Sequence, residues 1–515
     1  MIKLFHAMVL VFMLAPVPLQ AAAGFSFDNV VQKAKTTSEK PYQAPQPVPK
    51  FMREISYEAY QGIRFNPDRN LWKETQSNFQ VMFMIPGLYF THPVAFTIIE
   101  AEGPKPLSFK KGDFVFADPE VEKRVPADLG FAGFKLTFPL NKKNEQNQFL
   151  VFAGASYFRG VGKDNGFGIS GRGLAIDTGL PSGEEFPSFT EFWLVRPSPD
   201  AKEMVVYGLL DSKSLTGAYQ FTIFPGSPTR IKVKTQLFPR KNIQLLGMAP
   251  LTSMFFYGEN TPRPTGEWRR EVHDSDGLQI HDGISGEWLW RPLLNPVTLE
   301  MDFFSTENVQ GFGLLQRDVF FGNYEDLGAR YEKRPSAWVE PQGDWGKGKV
   351  VLVQLPTPLE TNDNIVAFWT PKAPVTPETP LNLAYDVSFG KDDIPGNLMG
   401  TVVQTFIGDG NRIGGGKVPN SYRIIVDFNG GPLSKLASDA RISSQVTALD
   451  DGEILEHFVE YYEQIKGWRL SILAKPAEKK PLHLRAFLNT DTTTLTETWT
   501  YRLPVNNNIL EKEQK

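Results

Sequence analysis

Arg230-Ile-Lys-Val-Lys-Thr-Gln-Leu237 alternates polar with apolar residues and puts Ile231 and Val233 on one face. A period of two belongs to a strand with one wet and one dry side, and a helix cannot sustain it. A second run, Val350-Val-Leu-Val-Gln-Leu355, is apolar and β-branched almost throughout, as for a strand covered on both faces. Outward from these stretches, from about Asn78 onward, short apolar runs alternate with Gly, Pro, Asn and Asp punctuation. Helical signals cluster near the start. Ser26 and Asp28 can cap a short helix over 27–34, prolines space 41–49 in a polyproline-like segment, and 51–60 reads as a second helix. The fold class expected is all-β: a large antiparallel β-sandwich.

Composition agrees. Glycine and proline, 44 and 40 of 515 residues, make up about one residue in six, above the usual share of about 12%. Hydrophobic residues at 41% and aromatics at 12% supply large cores and exclude global disorder. The length calls for more than one domain. A formal charge of −4 leaves no electrostatic footprint for nucleic acid or an anionic membrane. The absence of cysteine removes disulfides, thiol nucleophiles, zinc–thiolate sites and iron–sulfur clusters together.

Lys3, an apolar run from Ala7 to Ala15, and Ala21-Ala22-Ala23 have the layout of an ordinary secretory signal peptide. The run is far short of the ~20 residues of a membrane span, and no twin-arginine pair precedes it. The expectation is residues 1–23 as signal peptide and a mature protein outside the cytoplasm with no membrane span. Two further units follow. Residues 24–392 form the large sandwich. Residues 398–515 show strands at 399–406, 422–428, 468–474 and 498–503 with a glycine turn cluster at 408–416, about the size of an immunoglobulin-like sandwich.

Few familiar motifs survive inspection. Gly166-Phe-Gly168-Ile-Ser-Gly171 satisfies G-x-G-x-x-G but lacks the following helix and acidic partner of a dinucleotide site, so a glycine-rich loop in a β-domain is the better account. No serine sits in a nucleophile elbow. Of the histidines after the signal (His92, His273, His281, His457, His483), only His273 and His281 lie close together, among Glu271, Asp274, Asp276, Asp282 and Glu287. Asp274-Ser-Asp276-Gly277 starts like a calcium loop, but the later ligand positions are wrong. No metal site and no cofactor is assigned.

Residues 268–292 pack acids, arginines and tryptophans without a clear period. Sugar sites use this mixture, with aromatic faces against the rings and carboxylates and Arg on the hydroxyls. A solvated loop anchored to the core by Trp288 and Trp290 uses it equally well, and the residues alone leave both open. Arg334 to Glu340 and Glu360 to Trp369 have similar character, and Asp363 stands at the mouth of an apolar run. Two carboxylates across a glycosidic bond suffice for hydrolysis.

At these residues the sequence resembles a known family. His273-Asp-Ser-Asp-Gly277, Gly286-Glu-Trp-Leu-Trp-Arg-Pro292, Gly311-Phe-Gly-Leu-Leu-Gln-Arg317, Lys333-Arg-Pro-Ser-Ala-Trp338 and Asp363-Asn-Ile-Val366 are similar to motifs of the periplasmic glucan biosynthesis family (OpgG/MdoG and OpgD). So are Ile63-Arg-Phe65, Ala155-Ser-Tyr-Phe-Arg159, Arg172-Gly-Leu-Ala-Ile-Asp-Thr178 and Pro181-Ser-Gly-Glu-Glu-Phe186. The ordinary signal favours the G branch.

The resemblance implies a galactose-mutarotase-like β-sandwich with an open cleft, then a small immunoglobulin-like domain reached through a short helical turn. It implies a periplasmic role in making osmoregulated glucans, β-1,2-linked with β-1,6 branches. It also implies anomer-inverting endo-β-1,2-glucanase activity, with Asp363 as general acid and Asp274 or Asp276 as general base. Phe368 and Trp369 would desolvate the acid, while the base should be more exposed. Substrate contacts would come from His273, Glu287, Trp288, Trp290, Arg291, Arg334 and Trp338. The partners implied are β-1,2-glucan, an inner-membrane glucan glucosyltransferase, and a second copy in a homodimer. A non-catalytic glucan-binding scaffold and a β-1,6 branching transglycosylase are the competing readings.

Overall fold

A computed structural model describes residues 24–504 except 392, 393, 395, 413, 479 and 492. The expected signal peptide and the extreme C-terminal tail lie outside the described residues, as does part of the junction at 392–397.

Two large sheets face each other. The first orders its strands by residue number as 80–84, 133–138, 147–153, 157–160, 170–172, 246–253, 365–371, 347–354 and 300–307, with 174–176 pairing 246–253. The second runs from 443–448 through 482–490, 498–503, 288–292, 277–281, 311–315, 336–341, 381–390, 229–239, 215–224, 204–211 and 188–195 to 95–100 and 103–106.

The strand Thr229–Pro239 is central, with Val233 opposite Phe221 on one side and Tyr385 on the other. Ile231, Val233 and Thr235 are buried, whereas Arg230, Lys232 and Lys234 face water, as the alternation requires. Lys347–Gln354 is buried throughout Val350–Gln354. Phenylalanine fills the space between the sheets. Phe152 alone meets Phe134, Phe158, Phe192 and Phe221 at centroid distances of 5.0–5.5 Å. The sandwich is not purely antiparallel: 188–195 pairs with 95–100 in parallel.

The N-terminal helix Phe27–Ser38 is capped by a reciprocal Ser26–Asn29 pair and runs a turn longer than expected. It lays Phe27, Val30 and Ala34 on the outer face of the second sheet. The second expected helix is two, Lys50–Arg53 and Tyr57–Gln61. They break at Ser56, whose extended backbone and side chain cap the latter.

The C-terminal region has a four-stranded sheet (401–411, 417–429, 467–475, 453–462) facing strands 443–448, 482–490 and 498–503. That is the four-plus-three count of an immunoglobulin-like sandwich. The glycine cluster turns later than expected, since 408–411 still belong to a strand.

This sandwich is stitched to the larger one. Thr498–Leu503 pairs in parallel with Trp288–Pro292, through Leu289 opposite Thr498 and Trp290 opposite Trp499. Trp288, Trp290 and Trp338 belong to the same buried cluster as Trp468, Trp499 and Tyr501. A Cβ on Gly277 would lie 2.4 Å from the Trp290 ring, and one on Gly311 would lie 2.2 Å from Trp338. Glycine there is what lets the indoles lie flat on the sheet.

Candidate active site

Asp363 precedes the strand Ile365–Pro371, and its neighbour Asn364 fixes it in space. The Asn364 amide is buried and imitates a strand. Its oxygen accepts from the Phe255 N–H at 2.9 Å, and its nitrogen donates to the carbonyls of Phe255 and Leu355 at 3.0 Å. Phe255 pairs on its other side with His273. One short strand, Phe255–Tyr257, therefore links Asp363 to the segment His273-Asp-Ser-Asp276.

Within that segment the side chains diverge. Asp274 lies near enough to Asp363 and Arg159 to feel their charges, and Arg334 Nε lies 3.3 Å from its Oδ1. Its N–H donates to the Met254 carbonyl at 2.8 Å. Ser275 points inward to the Ser253 hydroxyl, 2.7 Å away. Asp276 turns from the recess, and its Oδ2 accepts the N–H groups of Arg317 and Asp318.

His273 is fully buried between Phe255, stacked at 5.3 Å, and Tyr324. Gln316 sets its protonation. The Gln316 nitrogen donates to the carbonyls of His273 and Tyr331, so its oxygen faces His273 Nδ1 at 3.0 Å and needs an N–H there. The other ring nitrogen meets Glu271 at 3.0 Å and Asp276 at 3.5 Å. Burial opposes the charge, but Asp276 and Glu271 outweigh it and push the His273 pKa up to about 10. Glu271, His273 and Asp276 are spaced as metal ligands might be. The three side chains meet one another directly, with His273 between the two carboxylates.

The recess floor is Asp274, whose side chain is 12% exposed, and the rim is Asp363 and Arg159, at 33% and 47%. Arg159 reaches Asp363 at 3.4 Å and is steadied by Ser170 at 2.6 Å. Arg172 lies over the Tyr157 ring at 4.7 Å and bonds Glu184 and Thr252, each at 2.6 Å. Burial raises the Tyr157 pKa, with Arg172 opposing and Asp363 adding to it. A cavity of about 160 Å³ lined by Tyr42, Phe90, His92 and Thr190 adjoins through Tyr157. Burial also lifts the Asp274 carboxyl to about 6, with Arg334 opposing and the charge of Asp363 adding to the rise. Asp274 Oδ1 and Arg334 Nε are both buried without a hydrogen-bond partner.

Several expected contacts are elsewhere. Trp288, Trp290 and Trp338 are buried against the C-terminal sandwich, so their faces are closed to a sugar. Arg291 is buried on Asp302 at 2.8 Å, and Glu287 bonds Arg485 and Thr498. His273 is sealed beneath the recess. Of the seven expected contact residues only Arg334 reaches it. The open alternative for 268–292, tryptophans as anchors, is the one that holds, because the C-terminal strand 498–503 covers them. Phe368 and Trp369 are core residues, and the more desolvated carboxyl is Asp274, not Asp363. Tyr157, Arg159, Arg172 and Glu184 went unassigned in the sequence, although all four lie in the quoted motifs.

Comparison with known proteins shows the family. The family model described as "Periplasmic glucan biosynthesis protein, MdoG" matches residues 25–503. The chain is similar to "Glucans biosynthesis protein G" of Ralstonia nicotianae, at 45% identity over 497 residues, covering 96% of this chain and 98% of that protein.

Proposed function

We propose, because the chain belongs to the MdoG family of periplasmic glucan biosynthesis proteins, that it binds β-1,2-glucan in this recess and cleaves it with inversion in the periplasm. The observation that supports the reading is that Asp274 lies near enough to Asp363 to feel its charge, with each carboxylate beside its own arginine.

The two carboxyls suit different roles. Asp363 is open enough for a glycosidic oxygen to touch it and is the general acid. Asp274 is too recessed to touch the anomeric carbon. It is the general base and acts through an intervening water or substrate hydroxyl, with a pKa near 6 that suits a base in neutral solution. Against Asp276 in that role stands its carboxylate's engagement with two backbone N–H groups and His273. Arg159 and Arg334 hold substrate hydroxyls and keep the two negative charges apart. The nascent chain would come from an inner-membrane glucosyltransferase, and cleavage would set its length.

The test is incubation with linear β-1,2-glucan, following reducing ends and product anomer by NMR. Inversion gives new α-anomeric ends, absent in Asp363→Asn, which still binds glucan. No new ends from the native protein would sink the hydrolase reading in favour of a glucan-handling scaffold. New linkages without net reducing ends would mean transglycosylation.

A further inference from the structure

The segment that bears Asp274 is tied to the C-terminal sandwich through one residue. The Arg317 main-chain N–H donates to Asp276 Oδ2, two residues from Asp274. The same residue's guanidinium passes the other way. It forks onto Glu497 at 2.6 and 3.1 Å, donates to the Val402 carbonyl at 3.0 Å and to Gln279, and lies 3.5 Å over the Trp290 ring. Glu497 and Val402 belong to the C-terminal sandwich. The Arg317 side chain is 8% exposed and that of Glu497 is 0%. The Glu497 carboxylate also accepts the Val402 N–H at 2.8 Å, so its position is set by its own sandwich. Asp276 is further pinned by its N–H to Leu315 at 2.7 Å and its carbonyl from Leu293 at 2.8 Å.

We propose that Arg317 is a positioning residue: seated on Glu497, it makes the C-terminal sandwich set the placement of Asp274. Within the catalytic reading above, on which this rests, the C-terminal sandwich is part of the machinery and not a passive appendage. The physical case is the planar fork. A buried ion pair stabilises little more than a well-packed apolar pair would, but it fixes orientation in two directions at once. Lysine keeps the charge and loses both the fork and the ring contact.

The test uses the full chain with Arg317→Lys and, from the other side, Glu497→Gln. Hydrogen exchange of the Asp274 and Asp276 amides should speed up by about tenfold or more, while those of 467–475 keep their protection. With substrate, kcat should fall by about tenfold or more with KM within about twofold, and the acid limb of the kcat/KM profile should move. A double replacement, Arg317→Met with Glu497→Met, should retain the melting temperature and still lose kcat. Unchanged exchange at Asp274 and Asp276 in both single variants overturns the inference. If the native protein cleaves nothing, the hydrolase reading fails, and the exchange result still decides the coupling.

Discussion

At the scale of single residues, environment separates three aspartates that look alike in the sequence. Asp363 is on the rim, Asp274 on the floor, and Asp276 is spent on backbone. Asp274 illustrates a trade between stability and activity. Its pKa rises from 3.8 to about 6 on folding, so the ionised form costs stability. The cost is absent below pH 3.8, grows as pH rises, and is complete above about 6. Asp274→Asn should therefore abolish cleavage and raise stability at pH 7.5 by roughly 3 kcal/mol. The gain should shrink toward pH 4 in thermal melts. In the native protein, kcat/KM should fall as pH drops through about 6, where the base takes up its proton.

Asn364 gives a second test. Asn364→Asp keeps the shape but cannot donate to Phe255 and Leu355, and it should cost about 1–3 kcal/mol by denaturant titration and lower kcat through Asp363. The roles of Asp274 and Asp276 could not be told apart from their spacing, because a two-residue offset in a loop does not fix which side chain turns outward.

At the scale of elements, strand pairing was legible wherever the pattern was local. The alternation in 230–237 and the buried run at 350–354 became interior strands for the reason their patterns state. The misreadings fall where a distant element decides burial. Trp288 and Trp290 look like sugar platforms in isolation and are core once Thr498–Leu503 pairs beside them. The flat seat of Trp290 on Gly277 gives a prediction at this scale. Gly277→Ala puts a methyl 2.4 Å from the ring, and should destabilise the protein by about 1–3 kcal/mol, read by chemical denaturation. If the alanine variant is as stable as the native protein, the packing account of this seam is wrong.

At the scale of the whole molecule, two sandwiches share one sheet and a seam of buried charge. Glu259 accepts the Thr405 N–H from the C-terminal sandwich at 3.1 Å. Burial, with Glu271 and Asp276 nearby, pushes its carboxyl up to about 8. Folded Glu259 thus binds more protons than unfolded between pH 4.5 and 8, and folded His273 does so between 6.5 and 10. Stability must fall with rising pH wherever the folded state holds the extra protons. The melting temperature should drop between pH 6.5 and 9. A flat profile over that range would mean the seam is not protonated as described.

The sequence by itself determined the all-β class, the N-terminal helix and the family, through motifs spread along nearly the whole chain. These depend on local periodicity or on short runs of residues. Only the tertiary structure decided that Asp274 lies near Asp363 while Asp276 turns to backbone, that the tryptophans close a seam, that His273 is buried between carboxylates, and that Arg159 reaches Asp363. Arg159 with Asp363, Arg172 with Thr252 and Trp290 with Trp499 meet across 80 to more than 200 positions, and burial and charge at such distances are properties of the packed chain alone.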